Sequence, residues 1–302
     1  LSGLVGSEMC IRDRGNTIIS SGYFNTWDGT SAVYVEVNDG PPSYNANGST
    51  FQSPYTFDGS DWVDKIIPLS DNKILALYFD NAGNKIVRHN IDGSFDGTFL
   101  TGTTNAGGML TNFTVSNDES QILVIGNAMT TFSGVSSNNI VALTSGGSID
   151  NSFVYGSGFN ALANVVITTS SNKYLIGGLF SDYNGTTVDK LVMLDTDGTV
   201  DTYFSGRTFS AGTYVSHIKE LNDGRFVVFG DFAGYDGYLA RDFVVLNDDG
   251  SLDTSVTYFT VGTDSTNYVL DSIEVNDGLI CVGFFNSVNG YTRRGTFKVC
   301  LL

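Results

Sequence analysis

A short phrase returns five times along this chain: Phe or Met, two residues, an aromatic or apolar residue, a small polar residue, then Gly. The copies are Phe24, Trp27, Gly29; Met129, Phe132, Gly134; Phe180, Tyr183, Gly185; Phe232, Tyr235, Gly237; and Phe285, Val288, Gly290. Their glycines lie 105, 51, 52 and 53 residues apart, and the first gap is two periods long, so it predicts a degenerate copy, placed at Leu77 to Lys85. A fixed period near 52 marks a repeat architecture, in which each unit buries its apolar face only against its neighbours.

Within a unit the punctuation is that of strands and turns. Lys173 to Phe180 (KYLIGGLF) reads as a buried strand, Asp182 to Thr186 as a turn, and Leu191 to Asp195 as the returning strand. Asp197, Gly198 and Thr199 form a second turn of the Asp-Gly kind, which favours positive φ. Val215 to Leu221 supplies a further strand, although its apolar residues Val215, Ile218 and Leu221 are three apart and leave a single helical turn as the alternative. The next unit repeats the order with Arg225 to Phe232, Phe243 to Asn247 and Asp249, Gly250, Ser251. With 36 Gly, 4 Pro and 13% aromatic residues, the composition suits many short strands joined by tight turns. A linear stack of such sheets would leave long exposed edges, whereas a ring closes on itself. The expected fold is therefore all-β: a β-propeller of about six four-stranded blades, one completed by strands from both ends of the chain. Five and seven blades stay open.

A second phrase follows each return strand: Asp92, Gly93, Ser94, Phe95, Asp96, then Phe99; Gly147, Ser148, Ile149, Asp150, then Phe153; Asp197, Gly198, Thr199, Val200, Asp201, then Phe204; and Asp249, Gly250, Ser251, Leu252, Asp253, then Val256. Together with the Gly-x-Phe strands (Gly22 to Phe24, Gly178 to Phe180, Gly230 to Phe232), this resembles the delta-60 repeat family of bacterial and phage β-propellers. The resemblance covers nearly all of 15–302. It implies a fold and no catalytic residues, and a context in bacterial secreted or surface proteins or in phage virion and tail-associated proteins. The second unit departs from the pattern, with Ala76 and Tyr78 where Gly and Phe are expected, and Pro41 and Pro42 interrupt the first.

Residues 1–14 (LSGLVGSEMCIRDR) match no repeat position. They are read as a non-native segment resembling translated adapter read-through, or alternatively as a disordered tail, and 15–302 as one propeller domain. Cys281 and Cys300 sit in apolar runs as buried thiols; a hairpin turning between Gly290 and Tyr291 would set them across from each other, which leaves a disulfide open.

The net charge of −17 disfavours nucleic acid as a partner, since phosphates would be repelled. No run approaches the ~18 apolar residues that span a bilayer. Asp195, Asp197, Asp201 and Asn247, Asp249, Asp253 have the alternation of calcium ligands but lack the bidentate Glu of such a loop, and bonds to their own turn backbone explain them better. His89 and His217 lie in unrelated units without partners at metal spacing, and the arginines do not recur in register; no metal or cofactor is expected. Trp27, Phe132, Tyr183 and Tyr235 occupy equivalent turn positions. Exposed, they would form an aromatic ring that stacks on sugars; otherwise each packs on its own blade or the next. The expected function is a non-enzymatic interaction or structural module outside the cytoplasm, on a phage virion or a bacterial surface, with a protein or glycan partner. The alternatives are a glycan-binding propeller and, less favoured, a glycoside hydrolase.

Overall fold

The computed structural model describes residues 62–300, apart from 81–82, 92–93, 205, 259–260, 262–267, 286 and 293–294. Of the residues before these it describes six strands. Six antiparallel sheets follow one another along the chain. Blade 1 is built from Met9–Arg14, Thr17–Gly22, Val35–Asp39 and Ser49–Thr50, and blade 2 from Trp62–Pro68, Lys73–Asp80 and Gly83–Asn90. Blade 3 comprises Met109–Val115, Gln121–Asn127 and Ile140–Thr144; blade 4 Ala163–Thr168, Tyr174–Gly178 and Leu191–Leu194. Blade 5 has Phe209–Glu220, Phe226–Tyr235 and Phe243–Leu246, and blade 6 Tyr268–Val275, Gly278–Phe284 and Thr296–Cys300. The first strands of blades 2 to 6 approach one another in succession and form the axial side of a β-propeller.

The fourth strand of blades 2 to 5 is reduced to a single residue pair. His89 bridges Phe95, Leu143 bridges Ile149, Leu194 bridges Val200 and Leu246 bridges Leu252. The Asp of the second phrase then returns its amide to the third strand, as Asp150 does to Ala142 O (2.8 Å) and Asp201 to Met193 O (2.9 Å). The Asp-Gly turn thus folds the chain back for one pair only, then releases it towards the next blade.

Blades pack face to face. Leu123, Ile125, Ile140 and Ala142 of blade 3 meet Phe159, Val166, Tyr174 and Ile176 of blade 4 in one buried cluster. Leu175, Leu191 and Met193 of blade 4 meet Val215, Ile218, Phe226 and Val228 of blade 5 in another. A sheet buried on both faces needs continuous apolar runs, which is why the central strands (ILVIG, YLIGG, FVVFG) lack a clean alternation.

Three features differ from the sequence expectation. Among the described strands no blade is completed from both ends of the chain: blade 1 is built within 9–50 and blade 6 within 268–300. Met9–Arg14, within the segment set aside above, is the first strand of blade 1, paired with Thr17–Gly22 from Met9 opposite Gly22 to Arg14 opposite Thr17. Cys281 stands opposite Phe297, and Cys300 opposite Gly278. The offset of three puts the thiols on opposite faces, Cys281 buried and Cys300 exposed, and both are free. As expected, Val215 to Glu220 is strand throughout. Its irregular spacing comes from a bulge that skips Ser216 between Val215 and His217, so Val215 and Ile218 both face the core.

Candidate functional site

The recurring phrase is a miniature hairpin between the second and third strands of a blade. Its two-residue turns are Ser133-Gly134, Asn184-Gly185, Asp236-Gly237 and Asn289-Gly290, with φ of 48° and 79°, 49° and 75°, 48° and 82°, and 51° and 77°. Both positions are left-handed, the type I′ geometry that matches strand twist and calls for Asn, Asp or Gly. Blade 2 lacks the hairpin. There Lys73–Asp80 and Gly83–Asn90 pair without interruption from Lys73 opposite Asn90 to Asp80 opposite Gly83, at the place expected for the degenerate copy.

The aromatic residue before each turn points inward. Phe132, Tyr183 and Tyr235 are fully buried, so the stacking face that exposure would have created is not formed by these three. Tyr183 packs against Phe159 with ring centroids 4.8 Å apart and donates its hydroxyl to Gly198 O at 2.9 Å; Tyr235 packs against Phe209 at 4.9 Å and donates to Gly250 O at 2.7 Å. The physical reason is that a phenol at this position fills the space under its own Asp-Gly turn and satisfies a carbonyl there. Burial, first of all, holds both phenols well above the usual tyrosine range. Trp27 pairs with Thr30 through its backbone, and its side chain lies outside the described residues.

The exposed position is the one after the turn glycine. Tyr238 is 55% and Tyr291 69% exposed, in successive blades, with Val135 and Thr186 as the exposed counterparts in blades 3 and 4. In the sequence they are concealed by their neighbours, which carry the stronger repeat. Two tyrosines immediately after turn glycines were the available signal.

The Asp-rich turns are occupied by their own chain. Asp197 accepts from Thr199 N and Oγ1 at 2.9 and 2.7 Å, and Asp249 from Ser251 N at 2.8 Å. The last Asp of the phrase binds the residue that opens the central strand. Lys73 pairs with Asp96 at 2.7 Å, Lys173 with Asp201 at 2.9 Å and Arg225 with Asp253 at 2.6 Å, while in blade 3 Gln121 donates to Asp150 at 2.7 Å. Burial works against ionisation at Asp201, yet the bonds from Lys173 and from Tyr203 N hold its carboxyl below the usual range. Among the described residues no group of three or more His, Cys, Asp or Glu is placed to hold a metal ion.

At the axis, the first strands of blades 2 to 6 each carry a bulge, at Asp64, Thr111, Asn164, Ser216 and Leu270. The bulge and the residue beside it reach the next blade. Lys65 Nζ donates to Asn112 Oδ1 (2.6 Å), Thr111 Oγ1 to Ala163 O, and Asn164 Nδ2 to Ser216 O (3.3 Å), while His217 Nε2 lies 2.9 Å from Ser272 Oγ. Burial, deepened by the cations Lys219 and Lys65 and opposed by Asp271, lowers the His217 pKa to about 4. The His217–Ser272 contact has the length of a base and nucleophile pair, but Asp271 accepts from Ser272 N rather than orienting the imidazole. The pair clasps blades 5 and 6. A polar residue at this one position in unit after unit was the signal for the axial bond ring.

Blade ends are latched as well. Glu119 accepts from Ser70 N at 2.7 Å, Asn172 from Asn117 N at 2.8 Å, Glu220 from Ser170 N at 2.8 Å and Glu274 from Asn222 N at 2.8 Å.

One carboxylate is poorly served. Asp242, at φ 67°, accepts from Val261 N at 2.9 Å, and burial, with Asp231 nearby, raises its pKa to about 6. A folded pKa above the unfolded value means that the native state binds the extra proton, so this group's contribution to stability falls as pH rises from about 4 to about 6. Its counterpart in blade 3 is Asn139, at φ 61°, whose uncharged amide accepts from Met129 N at 2.9 Å. Asp242→Asn is expected to add about 1 kcal/mol at pH 7.5, after allowance for solvent screening, and nothing near pH 4.5. Thermal melts at the two pH values check it; an equal effect at both would contradict the assignment.

Comparison with known proteins agrees with this architecture. A family model described as a domain of unknown function (DUF5122) beta-propeller matches residues 121–153 and 169–204, which lie in blades 3 and 4. No curated protein sequence matches the chain. Among solved structures, one from a study of two prolyl endopeptidases matches with a TM-score of 0.55 at 11% identity, over 96% of this chain and 42% of that one. A puromycin-hydrolyzing peptidase of Mycobacterium tuberculosis matches with a TM-score of 0.51 at 12% identity, over 95% and 44%. The chain thus spans about two fifths of these proteins, and at such identity the likeness concerns the fold alone.

Proposed function

We propose that this propeller is a non-enzymatic interaction and structural module that works outside the cytoplasm, on a phage virion or a bacterial surface. The observation that carries the reading is the use to which its recurrent polar groups are put. The turn carboxylates, the axial bulges and the blade-end glutamates described above are engaged in bonds within or between blades, as suits a scaffold that presents loops to a partner. The Gly-x-Phe strand and the Asp-Gly-Ser/Thr phrase support a finer placement among the delta-60 repeat propellers, whose bacterial and phage context gives the proposed location. The partner is a protein surface, and the peptidase chemistry of the structural neighbours is not carried over.

A second reading, a glycan-binding propeller, is favoured by one specific observation. Tyr238 and Tyr291 project from equivalent hairpin positions in neighbouring blades, and tyrosine faces suit pyranose rings. A glycan array, run beside a panel of glycoside and peptide substrates, tests both. The leading reading predicts a folded protein with neither retained glycans nor turnover. Retention that falls at least tenfold in Tyr238→Ala/Tyr291→Ala would move the function to the second reading, and turnover of any substrate would overturn both.

A further inference from the structure

The chain contains three Asn-Gly pairs, at Asn47, Asn184 and Asn289, and the first lies outside the described residues. The other two are the turns of equivalent hairpins in blades 4 and 6. Both pairs are exposed, and both asparagines are left-handed, with φ of 49° and 51°. They differ in what holds them. In blade 4 Gly185 N donates to Asp182 Oδ1 at 2.9 Å, and Asn184 Oδ1 accepts from Ser157 N at 3.2 Å. In blade 6 the residue in the place of Asp182 is Ser287, whose buried Oγ has no hydrogen-bond partner among the described residues. Nor does the Asn289 amide bond to any of them.

We propose that Asn289 is a site of self-modification, converted to aspartate and isoaspartate through a cyclic imide with Gly290, and that Asp182 guards the equivalent Asn184. The nucleophile is the glycine backbone nitrogen after solvent base has taken its proton. It attacks Cγ of the asparagine; the N–Cγ bond forms, the Cγ–Nδ2 bond breaks, and ammonia leaves with a proton from water. Water then opens the imide at either carbonyl. Attack at Cγ leaves aspartate, and attack at the main-chain carbonyl leaves isoaspartate, whose backbone runs through the side chain and is longer by a methylene. Water is consumed and ammonia released, with no change of oxidation state. Gly290 has no Cβ to crowd the approach, and Ser287 offers its nitrogen no carboxylate. At Gly185 the Asp182 carboxylate stabilises the protonated N–H and opposes its loss.

The two products differ in outcome. Blade 5 already carries Asp236 in this turn, at φ 48°, so the aspartate form keeps the hairpin and sets a negative charge beside exposed Tyr291. The isoaspartate form lengthens a turn whose flanks pair Val288 with Tyr291 and Ser287 with Thr292, and it loosens the bridge from Val288 to Val261.

The test follows the folded full chain in mildly alkaline buffer by peptide mass mapping, with enzymatic methylation to count isoaspartate. Asn289 is expected to gain the mass of the amide-to-acid change, with isoaspartate present, roughly tenfold faster than Asn184, the equivalent of the guarding hydrogen bond. Asp182→Ser should bring Asn184 up to the Asn289 rate, Ser287→Asp should bring Asn289 down, and in denaturant the unmutated sites should react alike. Equal rates at the two sites in the folded chain would overturn the proposal. So would an Asp182→Ser variant that leaves Asn184 slow, a rate difference that persists in denaturant, or a mass gain at Asn289 without isoaspartate.

Discussion

Replacing Tyr235 by alanine is expected to cost about 4 kcal/mol and to lower Tm by roughly 10 °C. The ring is fully buried, it packs against Phe209 and Phe232 in the junction between blades 4 and 5, and its hydroxyl satisfies Gly250 O. Truncation opens a cavity and leaves that carbonyl without its donor, two costs of different origin that add. Tyr235→Phe separates them: it keeps the ring and loses the bond, and is expected to cost about 1–2 kcal/mol. Tyr183, with the same geometry one unit earlier, should give the same pair of values. Denaturant melts of the four variants check the prediction. A cost below about 0.5 kcal/mol for either alanine variant would mean that the ring lies on the surface.

Gly198→Ala is the second large effect, at about 3 kcal/mol, against about 1 kcal/mol for Gly185→Ala. Both glycines are left-handed, with φ of 89° and 75°, so alanine meets a similar backbone penalty at each. Their surroundings differ. A Cβ on Gly185 meets nothing within 4 Å, whereas one on Gly198 would stand 2.8 Å from Val154 O and 3.0 Å from Val154 N. Val154 N donates to Asp197 O at 2.7 Å, a bond from blade 3 onto the turn of blade 4, and the methyl would prise that contact apart. Equal melting temperatures for the two variants would show that the close approach carries no energy of its own.

The repeat, the type I′ hairpins and the Asp-Gly turns were legible in the sequence because each rests on local chemistry: positive φ selects Gly, Asn and Asp wherever it is needed. The period led to about six blades with five and seven left open, but it could not say how strands divide at the chain ends, where each end builds its own sheet. The direction of the aromatic side chains was not legible, since a residue beside a turn sits equally well on either face until the neighbouring blade is in place. Tyr235 and Tyr238 differ by three positions and have opposite fates, the first under a turn and the second in solvent. The axial bulges were hidden for a related reason. Skipping Ser216 shifts the strand's phase by one, so the spacing of Val215 and Ile218 left a helical turn open beside the expected strand. The thiol pairing that the sequence left open is ruled out by register alone, because the hairpin between blade 6's last two strands is centred on Asn289 and not between Gly290 and Tyr291, which leaves Cys300 opposite Gly278.

The candidate site was less legible than the fold. Its most repetitive residues turned out to be structural, and the exposed tyrosines are recognisable only once the hairpins have orientation. Repetition in a sequence reports what every unit needs, and every unit needs its neighbours; what one unit alone does leaves no period to detect.

The latches from Ser70 to Glu119, Asn117 to Asn172, Ser170 to Glu220 and Asn222 to Glu274 all run the same way, each blade offering donors that its successor accepts. Such a one-directional link makes the unit interchangeable in evolution. A duplicated or deleted stretch of one period carries a donor end and an acceptor end together, so the members of such a lineage can change ring size by whole units while every interface keeps its grammar.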